Sequence, residues 1–183
     1  GCDKFCTFCV VPYVRGRERS LPVDAVLREV RDAVTAGARE VVFLGQTVNA
    51  YGRHALRRGN DHGTVGFAAL IEKLAAIPGI ARIRYTSPHP MFFDDALIRA
   101  HAEVPALCPH VHLPLQSGSD PVPERMRRRY RADEYRELVA RLRAARPDLA
   151  LTTDLIVGFP GESDADFAAT LALVRDAGFV DAY

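Results

Sequence analysis

Cysteine is scarce in this chain, with four in 183 residues, which is too few for a disulfide framework and suits a reducing cytoplasm. No run of 18 apolar residues occurs, which excludes a transmembrane helix, and Gly1–Cys2–Asp3–Lys4 opens without the apolar core of a signal peptide. No membrane role is expected. Neither sign of charge is in excess: 24 basic residues stand against 23 acidic ones, so net charge gives no argument for a nucleic-acid partner. Hydrophobic residues make up 48% and charged residues 26%, a balance that predicts one domain over residues 1–183 with a substantial core. An initiator methionine is also lacking, and the closing Phe179–Val180–Asp181–Ala182–Tyr183 reads as the opening of a strand. The expectation is a piece of a longer protein, incomplete at both ends.

The few cysteines are not scattered. Cys2, Cys6 and Cys9 form a C-x3-C-x2-C run within GCDKFCTFC, and Cys108 stands far away. One short loop therefore offers three thiolates and no fourth. Electron-transfer clusters ordinarily take four cysteines, and structural zinc closes four positions. A 4Fe–4S cluster on three cysteines leaves one iron open to a small molecule, so the spacing predicts a cluster that does chemistry. Two plainer readings compete. A zinc half-site would need a histidine or Cys108 to complete it, and chance clustering would run against the usual scatter of buried cysteines. Cys108 itself reads as a structural thiol.

Along the chain, helical and strand patterns alternate. Helices are predicted over 23–36, 66–77, 93–103, 133–145 and 164–177, from apolar spacing of three and four residues. Strands are predicted over 40–44, 80–86, 110–115 and 149–157, with a fifth beginning at Val180. The nearly continuous apolar run Glu40–Leu44 suggests a strand buried on both faces. Such β–α repetition indicates parallel strands with helical crossovers. The predicted fold is α/β: a partial (β/α)6 TIM-like barrel with its first strand missing and its last truncated. Chemistry in such barrels sits at the C-terminal ends of strands, which places the cysteine loop, GQTVNAYG, TSPHP, QSGSD and GFPGES on one rim. The polar segment 53–63 reads as an exposed loop.

Those rim segments carry suitable groups. Gly45 permits close backbone approach to a ligand, and Gln46, Thr47 and Asn49 offer uncharged hydrogen-bonding groups. His110 and His112 share one strand face; lacking a third ligand they make no metal site, and His112 is expected to point into the barrel. Ser119 or Asp120 is expected to cap the following helix, with Pro121 at its first position. Gly158 and Gly161 permit a tight strand-to-helix turn. Arg125 to Arg131 holds five arginines in seven residues, either a solvated basic face or a surface for RNA phosphates. Arg15, Arg17 and Arg19 form a second basic stretch beside the cysteine loop. Arg82 and Arg84 alternate on one strand face, so one of them is placed to point inward. No general acid or base is identifiable.

Taken together, GCDKFCTFCVVPYVRGRERS, FLGQTVNAYG, RIRYTSPHP, HVHLPLQSGSD, DLIVGFPGES and DAGFVDAY resemble the radical S-adenosylmethionine (SAM) methylthiotransferases over the whole chain. The similarity is greatest to the tRNA branch that makes 2-methylthio-isopentenyladenosine beside the anticodon; the branch acting on a ribosomal protein usually has His where Ser117 stands. The resemblance implies a 4Fe–4S cluster on Cys2, Cys6 and Cys9, whose open iron binds SAM. It implies Phe8 near the adenine, Gly45, Gln46, Thr47 and Asn49 at the amino group, Gln116 and Ser117 at the ribose, and Ile156 and Gly158 at the adenine. An inward Arg82 or Arg84 would meet the SAM carboxylate. It further implies a cytoplasmic monomer that meets a tRNA anticodon stem-loop and an electron donor such as flavodoxin or ferredoxin. An upstream domain with a second 4Fe–4S cluster and a downstream RNA-binding β-barrel are implied outside this chain. The rivals are a ribosomal-protein or threonylcarbamoyladenosine methylthiotransferase and, from another class, a non-catalytic Fe–S electron carrier. Two features depart from the family pattern. Pro121 and Pro123 fall where a basic, aliphatic helix start is usual, and Arg131 stands where Thr usually caps a helix.

Overall fold

The computed structural model describes residues 1–53 and 65–183. The predicted loop 53–63 therefore lies, apart from Arg53, outside the described residues. In chain order the elements are α1 (Val11–Arg15), α2 (Val23–Thr35), β1 (Glu40–Phe43), α3 (Phe67–Ala75), β2 (Arg82–Tyr85), α4 (Asp95–Glu103), β3 (His110–His112), α5 (Pro121–Arg125), α6 (Ala132–Ala145), β4 (Ala150–Thr153), α7 (Asp164–Ala177) and β5 (Asp181–Ala182). Two short 3-10 turns, Val48–Ala50 and Pro90–Phe92, follow β1 and β2. The chain divides into two compact units, one of residues Arg19–Pro109 and one of Gly1–Glu18 with His110–Tyr183.

In the unit Arg19–Pro109, β1 and β2 pair in parallel with Glu40 opposite Arg82 and Phe43 opposite Tyr85. Side chains alternate across a strand, and this splits the residues cleanly. Ile83 and Tyr85 are buried, and the Phe67 ring of α3 packs against Phe43 and Tyr85 at 5.6 and 5.3 Å. On α3, Phe67, Leu70, Ile71 and Leu74 form the i, i+3, i+4, i+7 stripe that buries one helix face. The opposite strand face carries Glu40, Val42, Arg82 and Arg84, and Val42 is 46% exposed. This corrects the reading of β1 as buried on both faces: only the face towards α3 is closed. Helix α2 ends where Gly37, at φ +101°, accepts a left-handed turn. The Gly37 N–H then reaches the Val34 carbonyl (2.9 Å) and the Ala38 N–H that of Ala33 (2.9 Å), satisfying orphan carbonyls in a Schellman arrangement.

In the other unit, β3, β4 and β5 form a parallel sheet in that order. Tyr135, Leu138, Val139 and Leu142 give α6 its buried stripe. Strand β3 is shorter than predicted, because Pro114 has no N–H for a ladder and the carbonyls beyond His112 bond to side chains instead. Tyr135 Oη donates to the Leu113 carbonyl (2.7 Å), Arg128 Nη2 to that of Pro114 (3.1 Å), and Tyr130 Oη to that of Leu115. Thr153 Oγ1, also buried, donates to the Leu113 carbonyl (2.9 Å) and accepts from the Leu115 N–H (2.9 Å). Strand β4 likewise stops at Thr153, and the chain continues as one parallel bridge between Gln116 and Leu155.

Caps explain the departures noted in the sequence. Pro121 opens α5 as expected, but neither Ser119 nor Asp120 caps it with a side chain. Pro123 sits in the first turn, where no N–H is needed. The Asp120 carboxylate goes to α6 instead: it accepts from the Ala132 N–H (2.7 Å) and pairs with Arg131 (2.8 Å). Glu134 accepts from the Arg131 N–H (2.7 Å). The acceptor that Arg131 cannot provide thus comes from Asp120, twelve positions upstream of Ala132. At α7, Ser163 and Asp166 form a reciprocal capping box, and Ser119 adds a hydrogen bond to Asp166. Those hydroxyl and N–H donors hold the Asp166 carboxyl down at about 2, with Ser119 the largest cause. No helix among the described residues is long and apolar enough to cross a membrane.

Candidate active site

The cysteine loop is held by its backbone. Cys2 N–H donates to the Gly16 carbonyl (3.1 Å), Glu18 N–H to Asp3 Oδ1 (3.4 Å), and Cys9 N–H back to the Cys6 carbonyl (3.0 Å). Lys4 pairs with Glu18 at 3.6 Å. Thr7 anchors the middle of the loop, its N–H donating to the Met126 carbonyl (3.2 Å) and its hydroxyl to that of Arg125 (3.1 Å). None of the cysteines is in a disulfide; Cys2 is buried, and Cys6 and Cys9 are half-buried. Phe8 is 40% exposed, so it does not simply fill a core. Helix α1 begins two residues after Cys9, with Val10 at its N-cap. No pattern predicted it, because five residues are too few for a helical period.

The segment Met126–Tyr130 brings an unexpected residue to this loop. The basic run read as a surface contains Arg128, which is only 7% exposed. Its Nη1 lies 3.9 Å from Cys6 Sγ, its Nε donates to Tyr130 Oη (3.4 Å), and its guanidinium stacks 5.3 Å from the Tyr130 ring centre. Burial pulls the pKa of this guanidinium down, yet Tyr130 and Cys6 outweigh it and hold the group above its ordinary value. Burial also pushes the Tyr130 phenol up. Two more arginines of the run are engaged, Arg125 with the Gly161 carbonyl (3.0 Å) and Arg131 with Asp120, leaving Arg127 and Arg129 as its exposed, outward pair.

QSGSD and the Ile156–Gly158 segment lie side by side: Gln116 N–H donates to the Asp154 carbonyl and Ile156 N–H to that of Gln116, both at 2.8 Å. Gln116 is buried and takes φ +66°. Ser117 is 1% exposed, and its hydroxyl bonds Thr170 of α7 at 3.1 Å. Gly118 packs so closely on α7 that a Cβ there would lie 2.8 Å from Thr170 Cα. Gly158 is exposed at φ +74°, and Glu162 folds back to accept its N–H (2.5 Å) and that of Phe159 (3.1 Å). His110 and His112 do share a face, since both reach Thr152 Oγ1, at 3.2 and 2.9 Å. His112 Nε2 also lies 3.2 Å from Asp154 Oδ2, an acid–base pair that the sequence reading missed. Its only signal was the β3–β4 register, which sets His112 opposite Thr152, two residues before Asp154.

In the unit Arg19–Pro109, Gly45 and Gln46 follow β1, with Gln46 exposed and Thr47 and Asn49 buried. Asn49 is 4% exposed: its Nδ2 donates to the His89 carbonyl (2.9 Å) and its Oδ1 accepts from the His89 N–H (2.8 Å). Both its polar atoms thus bond the His89 backbone and join this segment to TSPHP. Arg82 and Arg84 both bond Glu40, at 2.5 and 2.9 Å, so each guanidinium has a carboxylate partner. Those bonds, Arg82's first, hold the Glu40 carboxyl below its ordinary range.

A single zinc ion needs its donors around one point. Among the described residues no three His, Cys, Asp or Glu side chains gather in that way. A four-iron cluster asks for something else, one thiolate at each of several irons. Three cysteines free of disulfides on one tethered loop, with a guanidinium at one sulfur, fit that demand. The chain matches the family model of the Radical SAM superfamily over residues 1–174. Enzymes of this superfamily use a 4Fe–4S cluster to cleave SAM reductively, and the parallel β–α units are consistent with a partial form of their TIM-like fold. Over nearly its whole length, this chain belongs to the radical SAM superfamily.

Proposed function

We propose that this chain is the radical-generating core of a methylthiotransferase that acts on a modified adenosine beside the tRNA anticodon. The observation that carries the reading is the three-thiol loop Cys2, Cys6 and Cys9, reduced and tethered through Thr7 to the turn after α5. These cysteines are assigned as ligands of the 4Fe–4S cluster. Bound there, the cluster would supply one electron for reductive cleavage of SAM to methionine and a 5′-deoxyadenosyl radical. The protein's part is to hold and orient. Phe8, exposed beside Cys9, offers an aromatic face for the adenine. Gln116, Ile156 and Gly158, on one bridged pair of segments, offer backbone and side-chain contacts to the nucleoside. The resemblance assigns Gly45, Gln46, Thr47 and Asn49 to the amino group and Ser117 to the ribose; Gln46 is exposed, and Thr47, Asn49 and Ser117 are buried.

The choice of tRNA rests on the sequence resemblance, above all on QSGSD with Ser117. Arg127 and Arg129, exposed, suit phosphate contacts, and a flavodoxin or ferredoxin is the matching electron donor. A second 4Fe–4S cluster on an upstream domain belongs to the same reading. The test is anaerobic reconstitution, then incubation with SAM, dithionite and an isopentenyladenosine-containing tRNA. Mass spectrometry is expected to find 5′-deoxyadenosine and a methylthio group on the nucleoside, both lost in Cys2→Ala. Iron-loaded protein that yields no 5′-deoxyadenosine would favour the electron carrier; 5′-deoxyadenosine with untouched tRNA would move the substrate to a ribosomal protein or a threonylcarbamoyladenosine.

A further inference from the structure

We propose that Arg128 is a positioning residue that raises the reduction potential of the cluster by holding its guanidinium against the sulfur of Cys6. This rests on the assignment of Cys6 as a cluster ligand. Arg128 is one of ten polar or charged residues buried in the described chain, and its position within the sequence run gives no hint of it. Its neighbours Arg127 and Arg129 both take left-handed backbone, at φ +60° and +56°, which is unfavourable for residues with a Cβ. Two such residues in a row of three are kept where the surrounding structure over-determines them. Here the kinks turn Arg127 and Arg129 outward and Arg128 inward, and the Arg128 N–H is tied to the Pro123 carbonyl (2.9 Å).

Inside, every side of the guanidinium fork is used: Nη2 on the Pro114 carbonyl (3.1 Å), Nε on Tyr130 (3.4 Å) and Nη1 towards Cys6 Sγ (3.9 Å). Arginine does not deprotonate in proteins. A buried cation without a counter-charge is costly, yet among the described residues no carboxylate forms an ion pair with Arg128. Its three partners are a carbonyl, a phenol and a cysteine. Only the cysteine becomes an anion in the working enzyme, as a thiolate that shares the charge of the cluster. Net charge and hydrogen bonds at the sulfurs set cluster potentials. A fixed cation at one sulfur favours the reduced form, which carries one more negative charge, and so makes the cluster easier to reduce.

The test is a redox titration of the complete, anaerobically reconstituted chain without SAM, followed by electron paramagnetic resonance. Arg128→Met is expected to lower the midpoint potential by at least about 59 mV, the one-electron equivalent of a tenfold change, while Arg128→Lys keeps the charge and stays near wild type. Should Arg128→Met fail to fold, Arg128→Gln, whose amide can still donate to Pro114, carries the same expectation. A neutral variant with full iron and sulfide content and an unchanged midpoint overturns the proposal. So does a shift seen only when SAM is added, which would assign the guanidinium to the SAM carboxylate. Failure of the underlying reading looks different: Cys6→Ala would retain its full iron content.

Discussion

Asn49 separates a structural role from a ligand-binding one, and the difference is measurable without any cofactor. Its amide makes two hydrogen bonds to the backbone of His89, at 2.8 and 2.9 Å, from a position 4% exposed. Asn49→Ala removes both partners at once, in a place that water does not readily reach. Each buried backbone group so stripped costs about 1–3 kcal/mol, so the two together cost about 2–6 kcal/mol. For a chain of this size that corresponds to a fall in Tm of roughly 4–24 °C. Asn49→Asp keeps the acceptor for the His89 N–H and loses only the donor, so it should fall between the two. Urea and thermal unfolding of the SAM-free protein, followed by circular dichroism, give the numbers. The clamp reading is refuted if Asn49→Ala stays within 0.5 kcal/mol of wild type, a bound well below the cost of one stripped group. A specific loss of SAM affinity at unchanged stability would then place the amide at the cofactor.

Gly118→Ala would set a Cβ 2.8 Å from Thr170 Cα and 2.9 Å from Leu173 Cβ, and overpacking of this kind costs about 1–3 kcal/mol; denaturant titration should show the loss, and an unchanged midpoint would mean α7 can shift. Asp120→Ala, which strips the Ala132 N–H of its acceptor, should destabilise the protein by about 1 kcal/mol, whereas Arg131→Ala, which removes only exposed ion pairs with Asp120 and Asp133, should cost less; equal losses would contradict the assignment of the cap to Asp120. The Asp166 carboxyl, held down at about 2 in the folded protein, stabilises the fold at pH values above its ordinary range and loses that contribution as pH falls towards 2. Asp166→Asn should therefore flatten the acid limb of a stability-versus-pH curve, and a parallel curve would exclude the linkage.

The sequence determined the elements whose signals are local. Apolar positions at three- and four-residue spacing placed the long helices to within a residue or two, and the α/β class followed from their alternation with short apolar runs. The superfamily was legible in the C-x3-C-x2-C run, because that signal lies in local spacing. What only the tertiary structure decided concerns residues whose partners are distant in the chain. Arg128 looked like one of five surface arginines until folding set it 122 positions back against Cys6. Asn49 and Ser117 read as ligand contacts, and only folding gave them the His89 backbone and Thr170 as hydrogen-bond partners. Arg131 looked like a lost cap, yet Asp120 supplies the acceptor. A polar side chain can satisfy the same hydrogen bond with solvent, ligand or backbone, and its sequence does not say which. Burial decides by removing the water, and that depends on what the rest of the chain packs around it.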